Sequence, residues 1–128
     1  MKTNELMIGD QVYLVKDYFR DSSTIKRKEI LKIDALDLHR ISDGLLEVKT
    51  IPPTHEILEK NGWVRRKIGD AKWVAIYECE GMSDIWEDIN GNLSTLIGFA
   101  DARIESVHQL QNILRSSGIT EAADNFKI

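Results

Sequence analysis

The sequence predicts an α+β fold: a mainly antiparallel sheet or small partly open barrel with two helices, at about residues 55–61 and 107–117. Three observations carry that prediction. Short alternating apolar segments succeed one another from residue 63 to residue 104 with turn residues between them. Asn90-Gly91 is a hairpin dipeptide. Two further segments carry full helix punctuation.

The elements follow in chain order. Ile8-Gly9-Asp10 is a turn that launches a strand over residues 12–18, with Val12 and Leu14 on one face and Tyr13 and Val15 on the other. Asp21-Ser22-Ser23-Thr24 has loop composition. A second strand is expected from about residue 28 to 34. A helical reading of residues 30–41 competes with it, because Leu31, Ala35, Leu38 and Ile41 also sit near helical spacing. Asp43-Gly44 turns into a short strand at 45–51, which Pro52-Pro53 ends, since proline offers no N–H to a ladder. Thr54 is the N-cap of the first predicted helix, Glu56 lies in its first turn where the dipole favours an anion, and Gly62 closes it in a left-handed cap.

Residues 63–68 and 72–79 then form strands joined by Gly69-Asp70, and residues 84–89 and 93–99 form strands joined by Asn90-Gly91. A short strand near 102–104 feeds the last helix. Ser106 and Gln109 have the spacing of a capping box, Val107, Leu110, Ile113 and Leu114 share the face expected to bury, and Gly118 ends the element.

The totals bound the function. The chain of 128 residues reads as a single domain, 1–128, and its 42% hydrophobic and 30% charged content is that of a globule rather than a disordered tail. No apolar run approaches the roughly 18 residues of a membrane span, so no membrane partner is expected. One cysteine, Cys79, excludes an internal disulfide, and the N-terminus has no signal-peptide pattern, so a cytoplasmic location is expected. The net charge of −4 weighs against general binding to a phosphate backbone. Residues 1–72 hold 14 Lys+Arg and 12 Asp+Glu, whereas residues 73–128 hold 3 and 9, which implies a polarised chain.

Three blocks carry a resemblance. Asn4-Glu5-Leu6-Met7-Ile8-Gly9-Asp10-Gln11-Val12 fits an N-E-L-x-I-G-[DN]-x-V opening, and Val107-His108-Gln109-Leu110-Gln111-Asn112 fits a V-H-Q-L-Q-N block. Between them, Ile51-Pro52-Pro53-Thr54-His55-Glu56-Ile57-Leu58-Glu59-Lys60-Asn61-Gly62-Trp63 fits a P-I-P-L-T-x-E-I-L-x-K-x-G-[FW] block, without the Leu before the Thr. In this order the chain resembles a family of small uncharacterised proteins of gut Bacteroidales, their phages and mobile elements. The resemblance implies cytoplasmic residence and a mobile-element context. It implies no activity, cofactor or catalytic residue.

Candidate chemistry is sparse. His39, His55 and His108 stand outside any H-E-x-x-H or C-x-x-C pattern, so none is assigned to a metal. Glu78, Glu80, Asp84, Glu87 and Asp88 surround a turn and could gather carboxylates, but without the spacing of a calcium loop; a solvated negative edge is the preferred account. Ser22-Ser23 and Ser116-Ser117 lack a nucleophile elbow. Cys79 falls in alternation with Trp73, Ala75 and Tyr77, which suits a buried inert thiol. No catalytic residue and no cofactor is expected.

Two binding faces remain. Trp63, Arg65 and Lys67 are expected to share one strand face, with Trp73 and Tyr77 on the paired strand and Lys26, Arg27 and Lys28 as further cations, a set suited to a nucleic-acid strand. His108, Gln111 and Arg115 form a polar stripe expected opposite the buried face of the last helix, suited to a protein partner or a second copy. The sequence therefore favours a non-catalytic protein-interaction module. A nucleic-acid-binding accessory protein is the alternative, and a small metal-dependent enzyme acting through the acidic turn is the least supported class.

Overall fold

A computed structural model of the chain describes residues 6–20, 23–97 and 100–128. They fall into two compact units, Met1–Ile51 and Pro52–Ile128.

The first unit is a long antiparallel hairpin with a helix. Strands β1 (Gln11–Arg20) and β2 (Ser23–Lys32) pair from Gln11 opposite Lys32 to Arg20 opposite Ser23. The short strand β3 (Val48–Lys49) pairs with Leu14 and Tyr13 of β1, giving the order β2-β1-β3. The turn before β1 is fastened to the end of β2. Gly9 N–H donates to the Ile33 carbonyl at 2.7 Å, Ile33 N–H donates to the Asp10 carbonyl at 2.8 Å, and the buried Asp10 carboxylate accepts from Met7 N–H at 2.8 Å. Leu6, Val12 and Ile33 form the core of this unit, with Leu31, Leu38, Ile41 and Val48 packed against it.

The two readings of residues 30–41 are each half right. The strand runs to Lys32, and helix α1 (Ala35–Ser42) begins three residues later. Asp34 is the switch. Its carboxylate accepts from Asp37 N–H at 2.7 Å while the Asp37 carboxylate accepts from Asp34 N–H, a reciprocal cap that ends extended backbone and starts a helix. Two strand bounds also differ from expectation. The strand expected over 45–51 is reduced to Val48–Lys49, and the expected loop residues Ser23 and Thr24 belong to β2. Asp21 and Ser22 lie outside the described residues.

The second unit holds a five-stranded antiparallel sheet and three helices. Helix α2 (His55–Lys60) starts at Thr54, whose hydroxyl accepts from Ile57 N–H at 3.3 Å, and gives way to Gly62 at φ +95°. Strands β4 (Val64–Lys67), β5 (Trp73–Glu78), β6 (Ile85–Asp88), β7 (Leu93–Ile97) and β8 (Ala100–Ile104) pair in sequence order, so β4 and β8 are edges and the sheet does not close into a barrel. The fold is thus α+β with antiparallel sheets.

The β6–β7 hairpin has a three-residue loop, Ile89-Asn90-Gly91, rather than the two-residue turn that Asn-Gly alone suggests. Gly91 N–H bonds the Asp88 carbonyl and Asp88 N–H bonds the Asn92 carbonyl, both at 3.0 Å, with Gly91 at φ +82° as the left-handed residue of such a loop. The Asp88 carboxylate accepts from the N–H groups of Asn90 and Asn92, and the Asn92 bond holds its pKa below the usual carboxylate range.

Helix α3 (Val107–Ser116) is capped at Ser106, whose hydroxyl accepts from Gln109 N–H at 3.3 Å. The Gln109 side chain reaches one residue beyond the N-cap, accepting from Glu105 N–H at 2.7 Å. After Gly118, at φ +81°, the chain makes a helix that the sequence reading missed, α4 (Thr120–Asp124), and α4 packs against α3. The Ile119 preceding it supplies no side-chain cap, so no local signal announces it.

Candidate functional site

Directly paired residues in a sheet point to the same side, so the register sorts the side chains of the second unit into two faces. On one side lie Arg65, Tyr77 and Ile85, then Lys67, Ala75, Glu87, Leu93 and Ile104. Ala75, Tyr77, Ile85, Leu93 and Ile104 are buried, so this is the inner face. On the other, more exposed side lie Arg66, Ile76, Trp86, Ser94 and Arg103, flanked by Val64 and Leu96, with Ile76 buried among its neighbours.

The densest polar constellation stands on the inner face beside helix α2. The Tyr77 hydroxyl donates to Glu87 Oε1 at 3.0 Å, and Arg65 donates to Glu87 Oε2 at 3.2 Å. The His55 ring lies beside Tyr77, with Nδ1 at 3.2 Å from the hydroxyl oxygen and Nε2 at 2.8 Å from the Glu59 carboxylate. These side chains line an open cavity of about 350 Å³. Burial, reinforced by the Glu87 carboxylate, pushes the Tyr77 phenol up to about 12, and the bond to Glu87 raises Arg65 above its ordinary value. The phenol is thereby kept protonated and the carboxylate is held by two donors. Chemically the cluster acts as a lock, joining β4, β5 and β6 to the first turn of α2. The sequence reading gave His55 no role and placed Tyr77 on the strand beside a nucleic-acid face; the strand register is what brings residues 65, 77 and 87 together, and His55 joins them from α2.

The outer face presents an aromatic pair. Trp73 and Trp86 pack with ring centroids 5.7 Å apart and planes tilted by 58°, and the Lys72 ammonium sits 4.9 Å from the Trp73 centroid. With Ser94 and Leu96 they line a shallow depression. Val64 and Leu96 on the same side are 68% and 53% exposed. A register shift between Trp73 and Ala75 explains why alternation misplaced Trp73: Trp73 stands opposite Asp88 and Ala75 opposite Glu87, so the extra residue turns Trp73 to the outer side.

The sequence-predicted faces are rearranged accordingly. Trp63 is buried at 2% exposure, its indole N–H directed at the Ser83 carbonyl, while Arg65 is bound to Glu87 and Lys67 is exposed. Trp63 therefore offers no open ring face beside Arg65 and Lys67. Lys26, Arg27 and Lys28 lie on β2 in the first unit, where the Lys28 ammonium is 5.5 Å from the Tyr13 ring centroid. The expected polar stripe of the last helix is a correction: His108 and Gln111 are buried, and only Arg115 keeps partial exposure. Helix α4 engages two of the three residues, Gln111 and Arg115. Gln111 donates to the Ala123 carbonyl at 2.9 Å, and Arg115 binds Asn112 at 2.7 Å and Asp124 at 3.4 Å, so these two residues of the stripe are consumed in seating α4.

The acidic turn disperses in the same way. Glu78 pairs with Arg66 at 2.6 Å, Glu87 with Tyr77 and Arg65, and Asp88 with its own loop. Among the described residues no group of three His, Cys, Asp or Glu side chains is placed to hold a metal ion. Cys79 is half-buried, and burial followed by the Glu80 charge raises its thiol pKa, which suits a packing role. No helix among the described residues is long and apolar enough to cross a membrane. Comparison with protein-family models, with curated proteins and with solved structures gives no match.

Proposed function

We propose that the chain is a non-catalytic protein-interaction module, cytoplasmic and belonging to a phage, a mobile element or a bacterial host, which docks a protein partner or a second copy through the outer face of its five-stranded sheet. One observation carries the reading: Trp73, Trp86 and Leu96 line one depression on this side of the sheet, with the two indoles packed together and Leu96 exposed. Aromatic anchors at the centre of a patch with charged neighbours are the composition of protein interfaces. Here the neighbours are Lys72, Arg66 and Arg103.

The test compares the tagged wild-type chain with Leu96→Asp, a change at an exposed position that leaves the core intact. Sedimentation over a range of concentrations reads self-association, and capture from nuclease-treated native lysate reads a partner. Association or capture by the wild type that Leu96→Asp abolishes at unchanged melting temperature supports the reading. An identical captured set and identical sedimentation for both proteins overturns it.

A nucleic-acid strand stacking on Trp73 and Trp86 is the second reading, favoured by the placement of Lys72 beside half-buried indoles on an antiparallel sheet. It is opposed by the charge of the unit, since residues 52–128 hold 8 Lys+Arg against 12 Asp+Glu. Capture that disappears with nuclease and falls steeply with salt would replace the first reading by this one.

A further inference from the structure

A second cavity of the Pro52–Ile128 unit lies away from both sheet faces just described. It measures about 350 Å³, at the small end of the roughly 300–1,000 Å³ of ligand sites. Its floor is apolar, built from Trp63, Met82, Leu114 and Phe126. Its rim carries Lys60 and Lys127, both exposed.

The charge of the lining is opposite to that of the unit. The lining residues include these two lysines and no aspartate or glutamate, although acids outnumber bases across residues 52–128. The site is also held in place. Asn61 donates to the Lys127 carbonyl at 2.7 Å and accepts from Lys127 N–H at 2.8 Å, gripping that residue's backbone as a neighbouring strand would. A third bond, from Asn61 to the Ile57 carbonyl at 2.8 Å, ties the grip to α2. The polypeptide carrying one rim cation is thereby fixed beside the helix end carrying the other, over a floor whose indole, phenyl and leucyl side chains are almost fully buried.

We infer that this cavity binds a small amphipathic carboxylate, its hydrocarbon body against the half-buried Met82 and Ala122, above the buried Trp63 and Phe126, and its anionic head between Lys60 and Lys127. An apolar body alone would find the floor without using the rim, and a cation would meet two like charges at the entrance. Carboxylate is thus the head group that both halves of the site favour.

The probes are octanoate, octanol and octylamine, titrated into the intact chain and followed through the indole N–H resonance of Trp63 in proton–nitrogen correlation spectra. Octanoate is expected to shift that resonance with half-saturation below about 1 mM and at least about tenfold more tightly than octylamine. Lys60→Gln, at an exposed position, is expected to weaken octanoate by about fivefold and to leave octanol unchanged. Ala122→Leu fills part of the cavity and is expected to abolish binding of all three without lowering the melting temperature. Equal affinity for octanoate and octylamine, insensitivity to Lys60→Gln, or no Trp63 shift at any accessible concentration would overturn the assignment. Should Ala122→Leu disturb folding, the Lys60→Gln comparison still decides.

Discussion

Replacing Tyr77 with Phe removes one oxygen and leaves the ring that β5 packs, so it isolates the hydroxyl at the centre of the inner-face cluster. Tyr77 is 2% exposed and its hydroxyl donates to Glu87 at 3.0 Å, while the Glu87 side chain is 18% exposed. A hydrogen bond to a charged group contributes about 1.5–3 kcal/mol. Glu87 keeps Arg65 as a partner after the substitution, and water has some access to it, so the lower end of that range applies: about 1.5–2 kcal/mol. With a urea slope of about 2 kcal/mol per molar, the unfolding midpoint is expected to fall by close to 1 M, about that much and at unchanged slope.

Tryptophan fluorescence is the suitable probe, because Trp63, Trp73 and Trp86 all lie in this unit. A double-mutant cycle with Glu87→Gln is expected to give a coupling of about 1 kcal/mol or more. The pH dependence supplies an independent check. The phenol is pushed up to about 12 in the folded state from an ordinary value near 10 when unfolded. In that interval the unfolded chain has lost the proton that the folded chain retains. The contribution is therefore complete below about pH 10 and disappears as pH rises through about 12. The gap between wild type and Tyr77→Phe is expected to be constant at neutral pH and to close across that window. A midpoint change below about 0.3 M, or a gap indifferent to alkaline pH, would refute the hydroxyl–carboxylate bond as the centre of the cluster.

Two other perturbations test local signals. Ser106→Ala removes the hydroxyl that accepts from Gln109 N–H and is expected to destabilise by about 1 kcal/mol in the same urea assay, with Ser106→Asp retaining most of the stability. Gly91→Ala meets no atom within 4 Å but must hold φ near +82°, so its expected cost of about 1–2 kcal/mol is purely conformational, and Gly91→Asn is expected to recover part of it.

Local chemistry explains what was legible in advance. The caps of α2 and α3, the glycine at 62 and the β6–β7 hairpin are each decided by residues within a few positions of one another, and each is found in place. Even the switch at Asp34 was written in a D-x-x-D cap that apolar periodicity alone obscured. Helix α4 was not legible. Its N-cap position carries an isoleucine, and its seat is made by Gln111 and Arg115, which lie on a different helix. Once α4 covers that side, α3 buries polar as well as apolar residues, and Gln111 and Arg115 of the stripe that looked solvent-facing become contacts between helices.

By itself, the sequence determined the class of the fold, two of its four helices and most of the places where the backbone must turn, because capping, glycine conformation and binary pattern act over a few residues. Tertiary structure alone decided which side chains meet. One extra residue between Trp73 and Ala75 sends a tryptophan through the sheet to join Trp86, and antiparallel pairing puts Arg65 beside Tyr77 and Ala75 beside Glu87. Side chains alternate with a period of two, so a shift of a single position exchanges the faces of a strand, and no short-range preference is strong enough to set that register.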